Sequence, residues 1–222
     1  MEQNLKTSPK DFFLHLGVIA SLYISTISII ALWFKIIDEF FADPIKYSDP
    51  YSTGISLAIA SLFVIFPLFI VISWMLHKDE TMHPEKRELG IRKWLIYLTL
   101  FVAGAVIVID LITLINTFLS GREITVSFVA KVFIILAVIG TIFAYYIQKV
   151  RAINGISRTL AKNLTWGVAF FVTLSIIIGF VVMGSPQTQR MKRIDQDRIS
   201  DLSNIQWQIV NYWQLKGVLP TA

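Results

Sequence analysis

Two ionisable residues, Asp110 and Lys131, stand inside long apolar runs. A charge at the middle of a bilayer is costly, so such a residue is either neutralised by a partner or put to use on a proton, an ion or a substrate. Asp110 lies nine residues before Leu119 and Lys131 seven after Ile124, and the Ser120–Gly121 step between them reads as a tight turn. At the helical rise both then stand roughly 10 to 14 Å from that turn. The expectation is an intramembrane charge pair, Asp110 with Lys131, that fixes the register of a helical hairpin. The alternative use is a protonatable relay or ion ligand at Asp110, helped by Thr113, Asn116 and Thr117; in a third reading the two make no contact and Lys131 snorkels outward. Thr99, Ala103, Asp110, Thr113 and Thr117 fall on one helical face, small and polar throughout, which predicts that this face looks at protein and not at lipid.

Little else in the chain suggests chemistry. The absence of cysteine excludes disulfides, thiolate metal sites and cysteine nucleophiles. His77, Asp79, Glu80, His83 and Glu85 form a run of possible metal ligands, but their spacing matches no zinc motif, and the run reads as a solvated loop. There is no Walker A loop, nucleophile elbow, zincin helix or dinucleotide-binding glycine fingerprint. His15 has no evident catalytic partner. No catalytic residue, metal site or cofactor is therefore assigned, and the chain is read as a non-enzyme.

The elements that must position Asp110 and Lys131 are membrane helices. Of 222 residues 55% are hydrophobic and 16% charged, with a mean hydropathy of +0.65. Lipid is the solvent for most of such a chain. About 20 residues of helix cross a hydrocarbon core, and five runs meet that length: about 12–34, 54–76, 94–119, 124–148 and 164–184. Ser8, Pro9 and Asp11 read as an N-cap, a first-turn proline and a capping-box acid before the first span. Gly17, Ser21, Ser25 and Ser28 give that span a small-residue stripe for close helix packing. The segment 35–53, with Asp43-Pro44, Asp49-Pro50 and several aromatics, reads as an interfacial loop, and Pro67 predicts a kink in the second span. The fold class is all-α: a polytopic membrane bundle of five transmembrane helices, residues 1–184, followed by an amphipathic extramembrane helix in 185–222.

Charge places the ends. Lys6 and Lys10, then Lys78, Lys86, Arg87, Arg92 and Lys93, then Lys149, Arg151, Arg158 and Lys162 occupy one set of connections, against Lys35, Lys46 and Arg122 in the other. The positive-inside rule then predicts a multi-pass cell-membrane protein with a cytoplasmic N-terminus and an extracytoplasmic C-terminus. Arg190, Lys192 and Arg193 close behind the fifth span oppose that orientation. The net charge of +5 is explained by this topology and does not point to nucleic acid.

Ser185 and Pro186 open a polar helix that Gly217 and Pro220 close. On its wheel Met191, Ile194, Ile199, Leu202, Ile205, Ile209, Tyr212 and Trp213 share an arc of about 140°, the width of a core-facing stripe. Asp197, Asn204, Gln208 and Gln214 help fill the polar remainder. The expected partners are the lipid bilayer and, on this stripe, a second copy or another membrane protein.

The stretch Arg92-Lys93-Trp94-Leu95, Tyr97 to Phe101, Asp110-Leu111-Ile112, Phe118-Leu119, Gly121, Glu123, Thr125 and Lys131 resembles a family of prokaryotic membrane proteins known only as domain of unknown function 5671. The resemblance covers the first four spans and places that family's Asp and Lys on Asp110 and Lys131. It implies a membrane bundle and no particular chemistry. The tail, through Asp201-Leu202, Ile205-Gln206, Tyr212-Trp213, Gly217 and Leu219-Pro220, is similar in addition to a type IV pilin or pseudopilin helix, although no prepilin cleavage signal precedes the fifth span.

Overall fold

A computed structural model describes residues 8–41, 54–83, 89–151 and 158–217. The Asp-Pro steps at 43–44 and 49–50, Pro84, Glu85 and Pro220 lie outside them. The described residues form six helices: α1 Pro9–Phe40, α2 Gly54–Met82, α3 Gly90–Leu119, α4 Val126–Arg151, α5 Arg158–Met183 and α6 Pro186–Lys216. Five are long and apolar enough to cross a membrane. The protein is an all-α polytopic membrane bundle with a polar sixth helix.

Several boundaries move outward from the expected spans, each for a local reason. The buried stripe of Ile29, Leu32, Ile36 and Ile37 carries α1 past Lys35 to Phe40, so Asp38 is helical and not part of a loop. Ser8 precedes the helix but makes no side-chain cap; Pro9 opens it and the Ser8 carbonyl accepts from Phe12 N–H at 3.1 Å. Pro67 does not end α2, which runs on to Met82 and takes His77 to Glu80 out of the expected solvated loop. Thr125 starts α4, its hydroxyl accepting from Phe128 N–H at 3.2 Å.

Two compact units are present, one running through Val182 and the other containing α6. In the first, consecutive helices alternate in direction. Residues at the start of α1 meet the end of α2 and the start of α3, whereas the end of α1 meets the start of α4. We call these the near and far ends. α1 packs against α2, α3 and α4, and Trp33 joins it to α5. The Trp33 indole N–H donates to Ser175 Oγ at 3.0 Å, and its ring stacks on Phe171 at 5.9 Å. Gly179 lets α5 come close: a Cβ there would stand 2.9 Å from Leu32 Cδ1 and 3.1 Å from Ile59 Cδ1. Phe63, Phe101, Phe133, Phe170 and Val181 face outward, as lipid allows.

The described residues of the second unit hold one helix, α6. Ser185 Oγ accepts from Thr188 N–H at 3.2 Å, and Gly217, in the left-handed conformation at φ 67°, donates its N–H to Trp213 O. Both caps stand where the sequence signals put them.

Candidate functional site: the buried polar groups of α1

α1 is the most buried of the five membrane helices, and most of what it buries besides aliphatic groups is polar: Asp11, His15, Ser21, Ser25 and Ser28. Lipid explains the inversion. Apolar side chains lose nothing by facing acyl chains, so polar ones collect where helices meet.

At the near end His15 Nδ1 lies 2.8 Å from the Asp11 carbonyl oxygen. A carbonyl only accepts, so Nδ1 carries the proton and donates, which leaves Nε2 as the second nitrogen. Nε2 stands 3.8 Å from Glu80 Oε1. The same oxygen pairs with Arg92 Nε at 3.0 Å. One carboxylate of α2 thus pairs with α3 and stands beside His15 of α1, whose Nε2 makes no hydrogen bond, and both His15 and Glu80 are buried. From α4, Tyr145 and Lys149 sit close enough to Glu80 and Arg92 to interact with their charges. Lys149 Nζ lies 6.0 Å and 5.9 Å from the centres of the Tyr145 and Tyr146 rings. Glu80 was expected in a solvated loop, and no catalytic partner for His15 was evident in the sequence; the structure brings the two side chains near each other. Among the described residues no group of three or more His, Asp or Glu could hold a metal.

Midway along α1, the Tyr23 hydroxyl donates to Thr99 Oγ1 at 3.2 Å, and Thr99 itself donates to the Leu95 carbonyl at 2.9 Å. Tyr146 is near enough to interact with Tyr23. Ser25 Oγ is buried with no hydrogen-bond partner.

The far end corrects the expected charge pair. Lys131 forms its ion pair with Asp38 of α1, and Ser127 Oγ lies 3.4 Å from the same carboxylate oxygen. Its ammonium also stands 5.6 Å from the Phe34 ring centre. Equal depth in a hairpin does not decide which way a side chain points, and Lys131 points across to α1. Asp110 is nonetheless buried at 7% exposure, and its Oδ2 has no hydrogen-bond partner. The expected polar face of α3 also divides. Thr99, Ala103 and Asp110 are buried, but Thr113 is exposed and donates to the Ile109 carbonyl, and Thr117 likewise donates to the Thr113 carbonyl, both at 2.8 Å. A threonine that satisfies its hydroxyl on its own helix can face lipid without leaving a polar group unpaired.

The family model described as Domain of unknown function (DUF5671) matches residues 11–146, more than half of the chain. The chain belongs to this family. The matched stretch contains Asp38, Glu80, Arg92, Asp110 and Lys131, so the polar groups of α1 to α3 lie within the family's domain, as do Tyr145 and Tyr146. It ends before α5 and α6 and gives no support to the pilin-like pattern of the tail. No curated protein and no solved structure matches the chain.

On α6 the stripe residues are all exposed: Ile194, Leu202, Ile205, Ile209, Tyr212 and Trp213, with Met191 and Ile199. A single helix has nothing of its own on which to bury such a stripe.

Proposed function

We propose that this membrane protein works as an anchor that presents α6 to a partner, either a second copy or another membrane protein. The observation that carries this reading is the exposed apolar stripe on a helix capped at both ends. Burying one such side chain gains about 1.5 to 3 kcal/mol, and eight stripe residues are exposed on α6. The stretch Leu202 to Leu215 contains no charged residue, which permits close association without like-charge repulsion. The polar face of that stretch also lacks the lysines and arginines that favour lying flat on a lipid surface. The basic bias of the connections supports an extracytoplasmic position for α6, with the N-terminus in the cytoplasm.

The test is crosslinking in native membranes. Replacing Ile205→Asp and Ile209→Asp together should abolish the crosslinked complex while the protein still inserts. Unchanged complexes in that variant would remove α6 as the interaction element.

A second reading, a small transporter or ion pathway, is favoured by one specific observation: the buried Asp110 Oδ2 has no hydrogen-bond partner. An unpaired carboxyl inside the membrane is costly and marks ion or proton pathways.

A further inference from the structure

We infer that His15 of α1 and Glu80 of α2 form a pH-sensitive latch at the near end of the bundle, open while the imidazole is neutral and closed once Nε2 takes up a proton.

The geometry fixes which atom acts. Nδ1 gives its proton to the Asp11 carbonyl at 2.8 Å, a bond within one turn of α1 that holds the ring in one orientation. A neutral imidazole with its proton on Nδ1 presents only a lone pair at Nε2. That lone pair faces Glu80 Oε1 at 3.8 Å, too far for a hydrogen bond, and Nε2 has no hydrogen-bond partner elsewhere. A carboxylate oxygen also only accepts. Two acceptors therefore face each other, one of them carrying charge. His15 is 6% exposed and Glu80 8%, so little water stands between them to screen the contact.

One proton reverses the sign of that contact. An imidazolium donates from both nitrogens, so Nδ1 keeps the Asp11 carbonyl while Nε2 gains a charge-assisted bond to Glu80. Such bonds span about 2.7 to 2.9 Å. From a separation of 3.8 Å, closing draws the two side chains together by roughly 1 Å. Glu80 has room for the new donor: Arg92 Nε stands 3.0 Å from the same oxygen, and a carboxylate offers about four lone-pair sites. Arginine keeps its charge throughout, so the link from α2 to α3 persists whether the latch is open or closed. The contact that changes is the one with α1.

The described charged and titratable groups around the pair come from each neighbouring helix. Asp11 precedes His15 by one turn on α1, Arg92 comes from α3, and Tyr145, Tyr146 and Lys149 come from α4. On α2 itself His83 Nδ1 stands 3.7 Å from Asp79 Oδ1, and that imidazole is half exposed. Histidine is the side chain that ordinarily changes charge between about pH 5 and 8. The tie between α1 and α2 is thus present at low pH and lost as the pH rises through that range. His15 lies in the second turn of α1 and Glu80 two residues before the end of α2, so the proton comes from the water beyond the near end, which is the cytoplasm in the orientation proposed above. No bond other than that N–H forms.

The test uses the full chain in lipid nanodiscs. The chain has three histidines, and His77→Gln with His83→Gln leaves His15 as the one that titrates. In this background nitrogen NMR of labelled histidine follows Nε2. Spin labels on cysteines introduced by Phe13→Cys and Met82→Cys, both exposed positions, report the separation of α1 and α2 by double electron–electron resonance. Lowering the pH from about 8 to about 5 should take His15 from one protonated nitrogen to two, and over the same interval the label separation should shorten and its distribution narrow. His15→Gln and Glu80→Gln should each abolish the pH dependence of the separation. Where either variant fails to fold, the background protein decides alone: an imidazole that stays singly protonated, or a separation that does not follow its titration, would overturn the latch. Shortening as the pH rises, or a pH dependence that survives in a folded His15→Gln, would overturn it as well.

Discussion

Lys131 discriminates between two carboxylates, and a double-mutant cycle can say which one it holds. The structure pairs it with Asp38; the pattern of the hairpin pointed to Asp110. The Lys131 side chain is 23% exposed and that of Asp38 44% exposed. Breaking a fully buried pair costs about 3 to 5 kcal/mol, but an exposed pair is worth only about 0.2 to 1 kcal/mol. Because nearly half of the Asp38 carboxylate is open, the coupling belongs near the top of the second range, about 1 kcal/mol, or about fivefold in the folding equilibrium. The cycle consists of Lys131→Met, Asp38→Asn and the double variant, with a parallel cycle through Asp110→Asn. The folded fraction is followed in mixed micelles as the denaturing detergent is raised. The expected result is a coupling of about 1 kcal/mol with Asp38 and a smaller one with Asp110. A larger coupling with Asp110 would refute the assignment of Lys131 to α1.

Further outcomes follow from the contacts of α5 and from the topology. Gly179→Ala should destabilise the bundle by about 1 to 3 kcal/mol, because the added methyl meets Leu32 and Ile59 and both are buried; the same detergent titration measures it, and a neutral substitution would mean that α5 does not pack this closely. Trp33→Phe removes the donor to Ser175 and should cost about 0.5 to 1.5 kcal/mol, with Ser175 still donating to the Phe171 carbonyl at 2.7 Å; a loss well above that range would show that the ring does more than hydrogen-bond and stack. Because the chain has no cysteine, single cysteines at Ser120→Cys and Thr81→Cys can be probed with an impermeant thiol reagent on intact cells. Ser120→Cys should be labelled and Thr81→Cys protected; the reverse pattern would invert the proposed orientation.

How much of this was readable in the residues depends on whether the determinant was local. The ends of α6 stand at Pro186 and Lys216 as the signals required, because a capping serine with a following proline and a left-handed glycine act within one turn. The five spans were also legible, since hydropathy needs no knowledge of neighbours. The pairing of Lys131 was not. Helical rise gives depth from the turn, but the direction of a side chain around the helix matters only once its neighbours are known. Asp38 was hidden by the same limit, as 35–53 was read as a loop. The spacing of Ile29, Leu32 and Ile36 was the available sign that α1 continues. The contact of His15 with Glu80 joins residues far apart in the chain, and Glu80 stood among charged residues that looked solvated. The division of the α3 face had a signal of its own: Thr113 and Thr117 each have a carbonyl four residues earlier to bond, so their hydroxyls did not require a protein neighbour.

The central claim is that the apolar stripe of α6 meets a partner, and the most direct measurement is site-specific photocrosslinking of the full chain in native membranes. A photoreactive side chain placed at Ile205 or Ile209 lies on the stripe; at Asn204 or Asn211 it lies nearly opposite. The account predicts a discrete adduct, with a second copy or another membrane protein, from the first pair and none from the second. Adducts of equal yield from both faces, or none from either, would contradict it.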